Sequence, residues 1–232
     1  MKSKIIEKVK RSLISLTNPK SPISESYRTL RTNIEFAGVD TDLRAIMVTS
    51  TGPSEGKSTT VANLAVVTAQ TEKRTLLVDA DLRKPTVHHT FDLTNRLGLT
   101  TVLAGQESMA NVVQKTLIPN LDIITAGPIP PNPAELLNSK AMTRFIQEVS
   151  EQYDQVLFDT PPVIAVADAQ ILASKLDGVI LVVDSGTTNK DVALKAKTQL
   201  QNVKANILGV VLNNKKMQGD SYYYYYYGAR KK

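Results

Sequence analysis

The sequence predicts a single α/β domain with a doubly wound, mostly parallel sheet flanked by helices. Three observations lead there. Six short runs rich in Val, Ile and Leu recur along the chain, without the polar alternation of a strand that has one wet face. Helical stretches separate them, which is the rhythm of parallel strands joined by crossovers. The first run passes into a helix through a glycine-containing loop, "STGPSEGKSTT" (50–60). A chain of 232 residues is long enough for one such domain with a substantial core.

The elements follow in order. The start, "MKSKIIEKVKRSL", places Ile5, Ile6, Val9, Leu13 and Ile14 to one side and reads as a short amphipathic helix, broken at "TNPKSP". Ser21 then reads as an N-cap with Pro22 at the first helical position. "ISESYRTLRTNIEFAG" continues that helix, with Ile23, Tyr27, Leu30, Ile34 and Ala37 at helical spacing and Gly38 closing it. Strands are predicted at 44–50, 74–81, 121–127, 154–160, 177–185 and 206–214. Helices are predicted at 57–72, 97–117, 133–152, 165–175 and 188–203. Residues 1–20 are thus expected to be a basic N-terminal segment, 21–214 the domain, and 215–232 a flexible tail rich in tyrosine.

Composition removes several functions. With no Cys, disulfides, iron–sulfur clusters and thiolate zinc sites are excluded. No apolar run approaches the roughly 20 residues of a membrane span, and the start lacks the pattern of a secretory signal. A cytoplasmic location is expected. The net charge of +6 sits at the ends: residues 1–20 carry +5, residues 214–232 carry +4, and the body between carries −3. A slightly acidic body is a poor match for nucleic acid, which calls for a basic face. Basic ends are either solvated tails or contacts for an anionic membrane surface or acidic partner. His88 and His89 have no third ligand nearby in sequence and read as exposed loop. "GPIPPNP" (127–133) reads as a rigid turn.

The loop at 50–60 carries the chemistry. Gly52-Pro53-Ser54-Glu55-Gly56-Lys57-Ser58-Thr59 ends like a phosphate-binding loop, in which backbone N–H groups and a helix N-terminus face phosphate oxygens. Lys57 is placed to reach the phosphates and Ser58 to ligate Mg²⁺. The strict pattern has glycine where Thr51 stands, and Gly52 is expected to relieve the turn instead. "LLVDADL" sets Asp79 and Asp81 at one strand tip and "VLFDTPP" sets Asp159 at another. In a parallel sheet these tips share the edge of the phosphate loop, so the carboxylates are expected to converge on Lys57, Ser58 and a nucleotide. The other reading of each aspartate is a cap on the turn that follows it.

Together "SESYRTLRTN" (24–33), "TSTGPSEGKST" (49–59), "LLVDADLRKP" (76–85), "GLTTVLAG" (98–105), "GPIPPNPAELL" (127–137), "LFDTPPV" (157–163) and the run Tyr222, Tyr223, Tyr224, Tyr225, Tyr226 and Tyr227 resemble one family. It is the bacterial protein-tyrosine kinases of capsular and exopolysaccharide biosynthesis, in the cytoplasmic form separate from its membrane activator. The resemblance implies a P-loop NTPase fold, ATP and Mg²⁺ as cofactors, and autophosphorylation of the tyrosine cluster. It places Walker A on Gly52 to Thr59 and the kinase-type second Walker motif on "LLVDAD". Asp79 is then the base for the incoming tyrosine and Asp81 assists the metal. Walker B falls on Asp159, and Asn213 falls where related ATPases contact adenine. Glu25-x-x-Arg28-x-x-Arg31, which spacing alone favours as a solvated face with internal ion pairs, falls on the family's subunit contact in a ring. The resemblance also implies a membrane-embedded activator that acts as polysaccharide co-polymerase, a cognate phosphatase, and recruitment to the inner face of the plasma membrane. Relatives that act as cell-division or plasmid-partition switches usually carry an extra lysine where Gly52 stands. With Gly52 there, a non-kinase ATPase switch lacks its diagnostic residue and keeps only the shared fold; it is the alternative expectation, and a structural protein with an adhesive aromatic tail a third.

Overall fold

The computed structural model describes residues 13–39 and 42–215. Residues 1–12 of the basic start and the tyrosine cluster lie outside the described residues. Leu13, within the N-terminal segment, is buried. Helix α1 (Ile14–Thr17) is tied down where the Ser15 N–H donates to Asn63 Oδ1 at 2.9 Å.

The N-cap reading of Ser21 holds. Its Oγ accepts the Ser24 N–H at 3.0 Å, Pro22 opens helix α2 (Pro22–Ala37), and the Gly38 N–H closes it on the Ile34 carbonyl at 3.1 Å. Tyr27, Leu30 and Ile34 pack inward, whereas Ile23 is exposed. Strand β1 (Ala45–Ser50) is buried throughout and leads into helix α3 (Lys57–Ala69). Every residue of α3 from Thr60 to Ala69 is buried, because the sheet covers one side and α1 and α2 the other. A helix apolar all round has this middle-layer position.

The remaining elements are β2 (Thr75–Asp79), α4 (Val87–Phe91), α5 (Leu99–Leu103), α6 (Met109–Val112), β3 (Val113–Lys115), β4 (Leu121–Ile124), α7 (Pro133–Asn138), α8 (Lys140–Gln152), β5 (Gln155–Asp159), α9 (Asp168–Ala173), β6 (Gly178–Asp184), α10 (Lys190–Asn202) and β7 (Ile207–Asn213). The sheet order is β3-β4-β2-β5-β1-β6-β7, and only the β3–β4 pair is antiparallel. All six predicted strands are present, and the architecture is the doubly wound P-loop NTPase fold.

Departures from the expected elements are local. The single helix expected over 97–117 is α5, α6 and the edge strand β3. Gly105, with φ +72°, stops α5, and Val113 turns to extended backbone. The helix expected over 133–152 is broken at Ser139, whose extended backbone starts α8 and whose Oγ accepts the Met142 N–H at 3.2 Å. Helix α10 starts at Lys190 rather than 188, because Asn189 caps it through the Asp191 N–H. His88 and His89 lie in α4 rather than in a loop, their rings 3.9 Å apart.

Alternation along the central strands divides the core between two faces. Ile46, Val48, Leu157, Ile180 and Val182 point to α3, while Met47, Phe158, Val179 and Leu181 point to the side of α8, α9 and α10. Phe158 is fully buried one position before Asp159 in β5, so its packing also fixes the strand tip that carries that carboxylate. Phe158→Ala should cost about 3–5 kcal/mol of folding free energy by denaturant titration, the range for emptying a buried aromatic site.

Candidate active site

The phosphate loop is shaped mainly by its own side chains. Ser54 and Gly56 take left-handed backbone, with φ 63° and 93°. Thr51 and Gly52 do not, so a threonine is tolerated where the strict pattern has glycine, and the turn is relieved further along the loop than expected. The Glu55 carboxylate folds back inside it: Oε2 accepts the N–H of Thr51 at 2.8 Å and of Gly52 at 3.1 Å, and Oε1 accepts the hydroxyls of Thr51 and Thr188. Asn213, at the end of β7, donates from Nδ2 to the Glu55 carbonyl at 2.9 Å. The φ of 93° calls for glycine at position 56, and a Cβ there, 2.2 Å from that Nδ2, would also displace the Asn213 amide. Pro53, Ser54 and Thr59 line the exposed outside of the loop.

Three strand tips meet beside it. Lys57 Nζ donates to Ser58 Oγ at 3.1 Å, Asp81 Oδ2 at 3.0 Å and Asp159 Oδ1 at 3.4 Å. Asp79 and Asp159 are neighbours across β2 and β5. Asp79, however, does not join the lysine by a hydrogen bond. Its Oδ1 accepts the Asp81 N–H at 3.2 Å, and its Oδ2 accepts those of Thr86 and Val87 at 3.0 Å. Asp79 therefore caps the turn that follows it, while Asp81 and Asp159 face Lys57.

Burial sets the electrostatics. Desolvation alone would pull Lys57 down, but Asp159 and Asp81 more than offset it and hold the ammonium above its ordinary range. Burial pushes Asp159 up, with partial relief from Lys57 and Ser58. Asp79 is pushed up to about 8, first by burial and then by the Asp159 charge. Asp159 Oδ2 is buried with no hydrogen-bond partner. An orphaned carboxylate oxygen near a serine hydroxyl and a second carboxylate suits a hard divalent cation. Mg²⁺ needs only one or two protein carboxylates beside substrate phosphates and waters. Ser58, Asp81 and Asp159 are the side chains that would hold it. A cleft of about 480 Å³ at the opposite edge of the sheet is unrelated, since its Arg74 and Lys115 are already paired with Asp154 and Asp122.

Comparisons with known proteins agree with this geometry. An AAA domain family model matches residues 43–215. Over 210 residues, covering 90% of this chain and 89% of the relative, the sequence is 55% identical to the tyrosine-protein kinase YwqD of Bacillus subtilis strain 168. The chain belongs to the bacterial tyrosine-protein kinases. Among solved structures it resembles the chimerical protein CapA2B2, with TM-score 0.86, 44% identity, and coverage of 89% of this chain and 91% of that one. It also resembles the kinase domain of the Escherichia coli tyrosine kinase ETK, with TM-score 0.83, 32% identity, and coverage of 89% and 82%.

Two features of this kinase were not singled out from its sequence. Arg83 holds the fully buried Asp168 in a bidentate pair, Nε to Oδ2 at 2.8 Å and Nη2 to Oδ1 at 2.9 Å, and so ties the turn after Asp81 to α9. Its position in "DADLRKP", directly after the paired aspartates, was the available signal. Thr188 gave none, because its hydroxyl meets Glu55 only through the fold. The Glu25, Arg28 and Arg31 side chains all have partners within the chain. Arg28 pairs with Glu25 at 2.8 Å and donates to the Pro19 carbonyl at 2.7 Å, while Arg31 Nη1 donates to the Val67 carbonyl at 3.0 Å. Among the described residues, no helix is long and apolar enough to cross a membrane.

Two outcomes follow for the kinase. Gly56→Ala should remove detectable binding of Mg-ADP in calorimetry while the protein stays folded by circular dichroism. The second concerns pH. A carboxyl whose folded value lies above its unfolded value near 4 binds its proton more tightly in the native state. It therefore subtracts stability as pH rises through that interval. In the absence of nucleotide, stability should fall from about pH 4 towards pH 8, the value to which Asp79 is pushed, and Asp79→Asn should flatten that slope in thermal melts.

Proposed function

We propose that this kinase transfers the terminal phosphoryl group of ATP to its own tyrosines, Tyr222 to Tyr227. The observation that carries the reading is Lys57 poised beside two buried carboxylates at the phosphate loop, with Asp79 on the adjoining strand tip. The tyrosine oxygen forms the new bond to the γ-phosphorus, the bond from that phosphorus to the bridging oxygen breaks, and ADP departs. When bound, Mg²⁺ supplies charge neutralisation along the phosphates. Lys57 and the loop N–H groups hold the triphosphate and stabilise charge that grows on its oxygens. Asn213 stands at the site wall, beside the position proposed for adenine.

Asp79 aligns the hydroxyl and accepts its proton. A tyrosine titrates near 10 and an ordinary aspartate near 4, a gap of roughly six units. A loose transition state asks little prior deprotonation of the nucleophile, so orientation with late proton acceptance suffices. Without a cation, burial and then the Asp159 charge favour the protonated form of Asp79. A cation between Asp81 and Asp159 would offset the second of these and favour the ionised form that accepts the proton.

The wider reading is that transfer occurs in trans within a ring of copies joined head to tail through Glu25, Arg28 and Arg31. Unphosphorylated tails fill neighbouring sites and hold the ring. Each phosphate adds about −1.5 to −2 charges, so two or three overturn the +4 of residues 214–232 and release it. A membrane-embedded activator, the polysaccharide co-polymerase, recruits the kinase to the inner membrane face, where the basic start meets anionic lipid. A cognate phosphatase resets the cycle, and the output is control of capsular or exopolysaccharide synthesis and export. This places the kinase apart from nucleotide-state switches, which have no use for a polytyrosine acceptor.

Incubation with Mg-ATP followed by mass spectrometry of residues 217–232 should show phosphotyrosine in the wild type and none in Lys57→Met. Asp79→Asn should retain Mg-ADP binding and lose at least about 100-fold in transfer rate, the lower range for a positioned proton acceptor. ATP turnover without phosphotyrosine would favour the switch. For the ring, Arg28→Ala should lower the mass seen by light scattering to that of a monomer. Arg31 is less suited to that test, because its contact with Val67 also holds α2 on α3.

A further inference from the structure

Beyond the phosphate loop and the aspartates, the structure assigns a positioning role to Thr188: its hydroxyl locks Glu55 inside the loop and so sets the affinity for nucleotide phosphates. The inference rests on the nucleotide-binding reading of the loop, not on the identity of the phosphoacceptor.

Glu55 is an unexpected residue in this place. A loop that must receive a triphosphate carries a carboxylate of its own, and like charges a few ångströms apart repel strongly where water is excluded. The cost is contained only if the carboxylate is turned away from the mouth of the loop and its lone pairs are occupied. Glu55 meets both conditions, being 6% exposed with four donors on two oxygens. Three of the four come from Thr51 and Gly52, in the loop itself. Thr188 supplies the fourth and, among the described residues, is the one donor from outside the loop, so it ties the carboxylate to a separate element.

The segment that presents Thr188 is prearranged. Asp184 Oδ1 accepts the N–H of Gly186 at 2.8 Å and of Thr187 at 3.1 Å, and the Thr188 N–H donates to the Asp184 carbonyl at 3.0 Å. The other oxygen of Asp184 accepts Asn214 Nδ2 at 2.5 Å, and these hydrogen bonds hold the carboxyl below its usual range. The hydroxyl therefore comes from a turn braced against the ends of β6 and β7. The same strand end carries Asn213, which holds the Glu55 carbonyl. Glu55 is thus gripped at its backbone by β7 and at its side chain by the turn after β6. Without the Thr188 hydroxyl, the carboxylate loses its external anchor and can swing towards the phosphates.

Thr188 is half-buried in a loop, so replacing it does not threaten the core. Thr188→Val keeps the shape and deletes the donor, and Thr188→Ser keeps the donor. A hydrogen bond to a charged group predicts about a tenfold weakening. Thr188→Val should raise the Kd for Mg-ADP and the KM for ATP by about that factor, with kcat within about threefold of wild type, and Thr188→Ser should restore both. In a Glu55→Ala background, Thr188→Val should have no further effect, because its partner is gone. The role is overturned if Thr188→Val binds Mg-ADP as tightly as wild type, whether or not its melting temperature falls. It is equally overturned if Thr188→Ser is as weak as Thr188→Val, or if the two losses add. Since Mg-ADP binding needs no acceptor, these results stand apart from any failure of tail phosphorylation.

Discussion

A single ammonium group balances the middle of this protein. Lys57 stands against Asp81 and Asp159, with Asp79 beside them, so three carboxylates share one fixed positive charge in a region nearly closed to water. Such an arrangement is under tension, visible in the raised positions of Asp79 and Asp159. The tension is useful. A site with surplus negative charge and one unsatisfied carboxylate oxygen suits a divalent cation, which would leave the lysine free for phosphate. The sheet order that brings β1, β2 and β5 side by side is what makes this crowding possible.

The rest of the fold keeps those tips still. Helix α3, buried from Thr60 to Ala69, starts at Lys57 itself, so the helix that presents the lysine is clamped on two sides. Arg31 reaches from α2 to the Val67 carbonyl, one of the last four carbonyls of α3, which lack helical partners. At the other end, Asp79 gathers three backbone N–H groups of the following turn, and Arg83 anchors that turn to Asp168. Asp79 thus organises its own loop, and the catalytic role proposed for it would be added to that capping one.

The fold was largely legible because its strands are buried on both faces and read as apolar runs. Strand β3 was missed for the opposite reason: three residues at an antiparallel edge, half-exposed, carry no run to detect. Within the site, Lys57, Asp81 and Asp159 could be placed because spacing fixed their strand ends. Glu55 was visible as a loop residue, but the direction of its side chain was not, since that depends on Thr188 and Thr51 in space. The helix-face triplet Glu25, Arg28 and Arg31 shows the same limit. Spacing placed the three residues together, but only packing revealed that one arginine faces the Val67 carbonyl and the other the Pro19 carbonyl.

Strand β7 ends where Asn213 touches the phosphate loop, so the chain leaves the sheet at the nucleotide edge. A tether of nine steps from Asn213 to Tyr222 spans at most roughly 30 Å. Anything carried there is held at a local concentration on the order of millimolar around the site, far above that of an acceptor diffusing freely. Proximity of this kind lowers the demand for sequence recognition: an acceptor that is always near needs little grip. If the tyrosines are the acceptor proposed above, the exit point of one edge strand becomes a ruler: lengthening or shortening residues 214–221 would retune which tyrosine reaches which site without altering a single catalytic group.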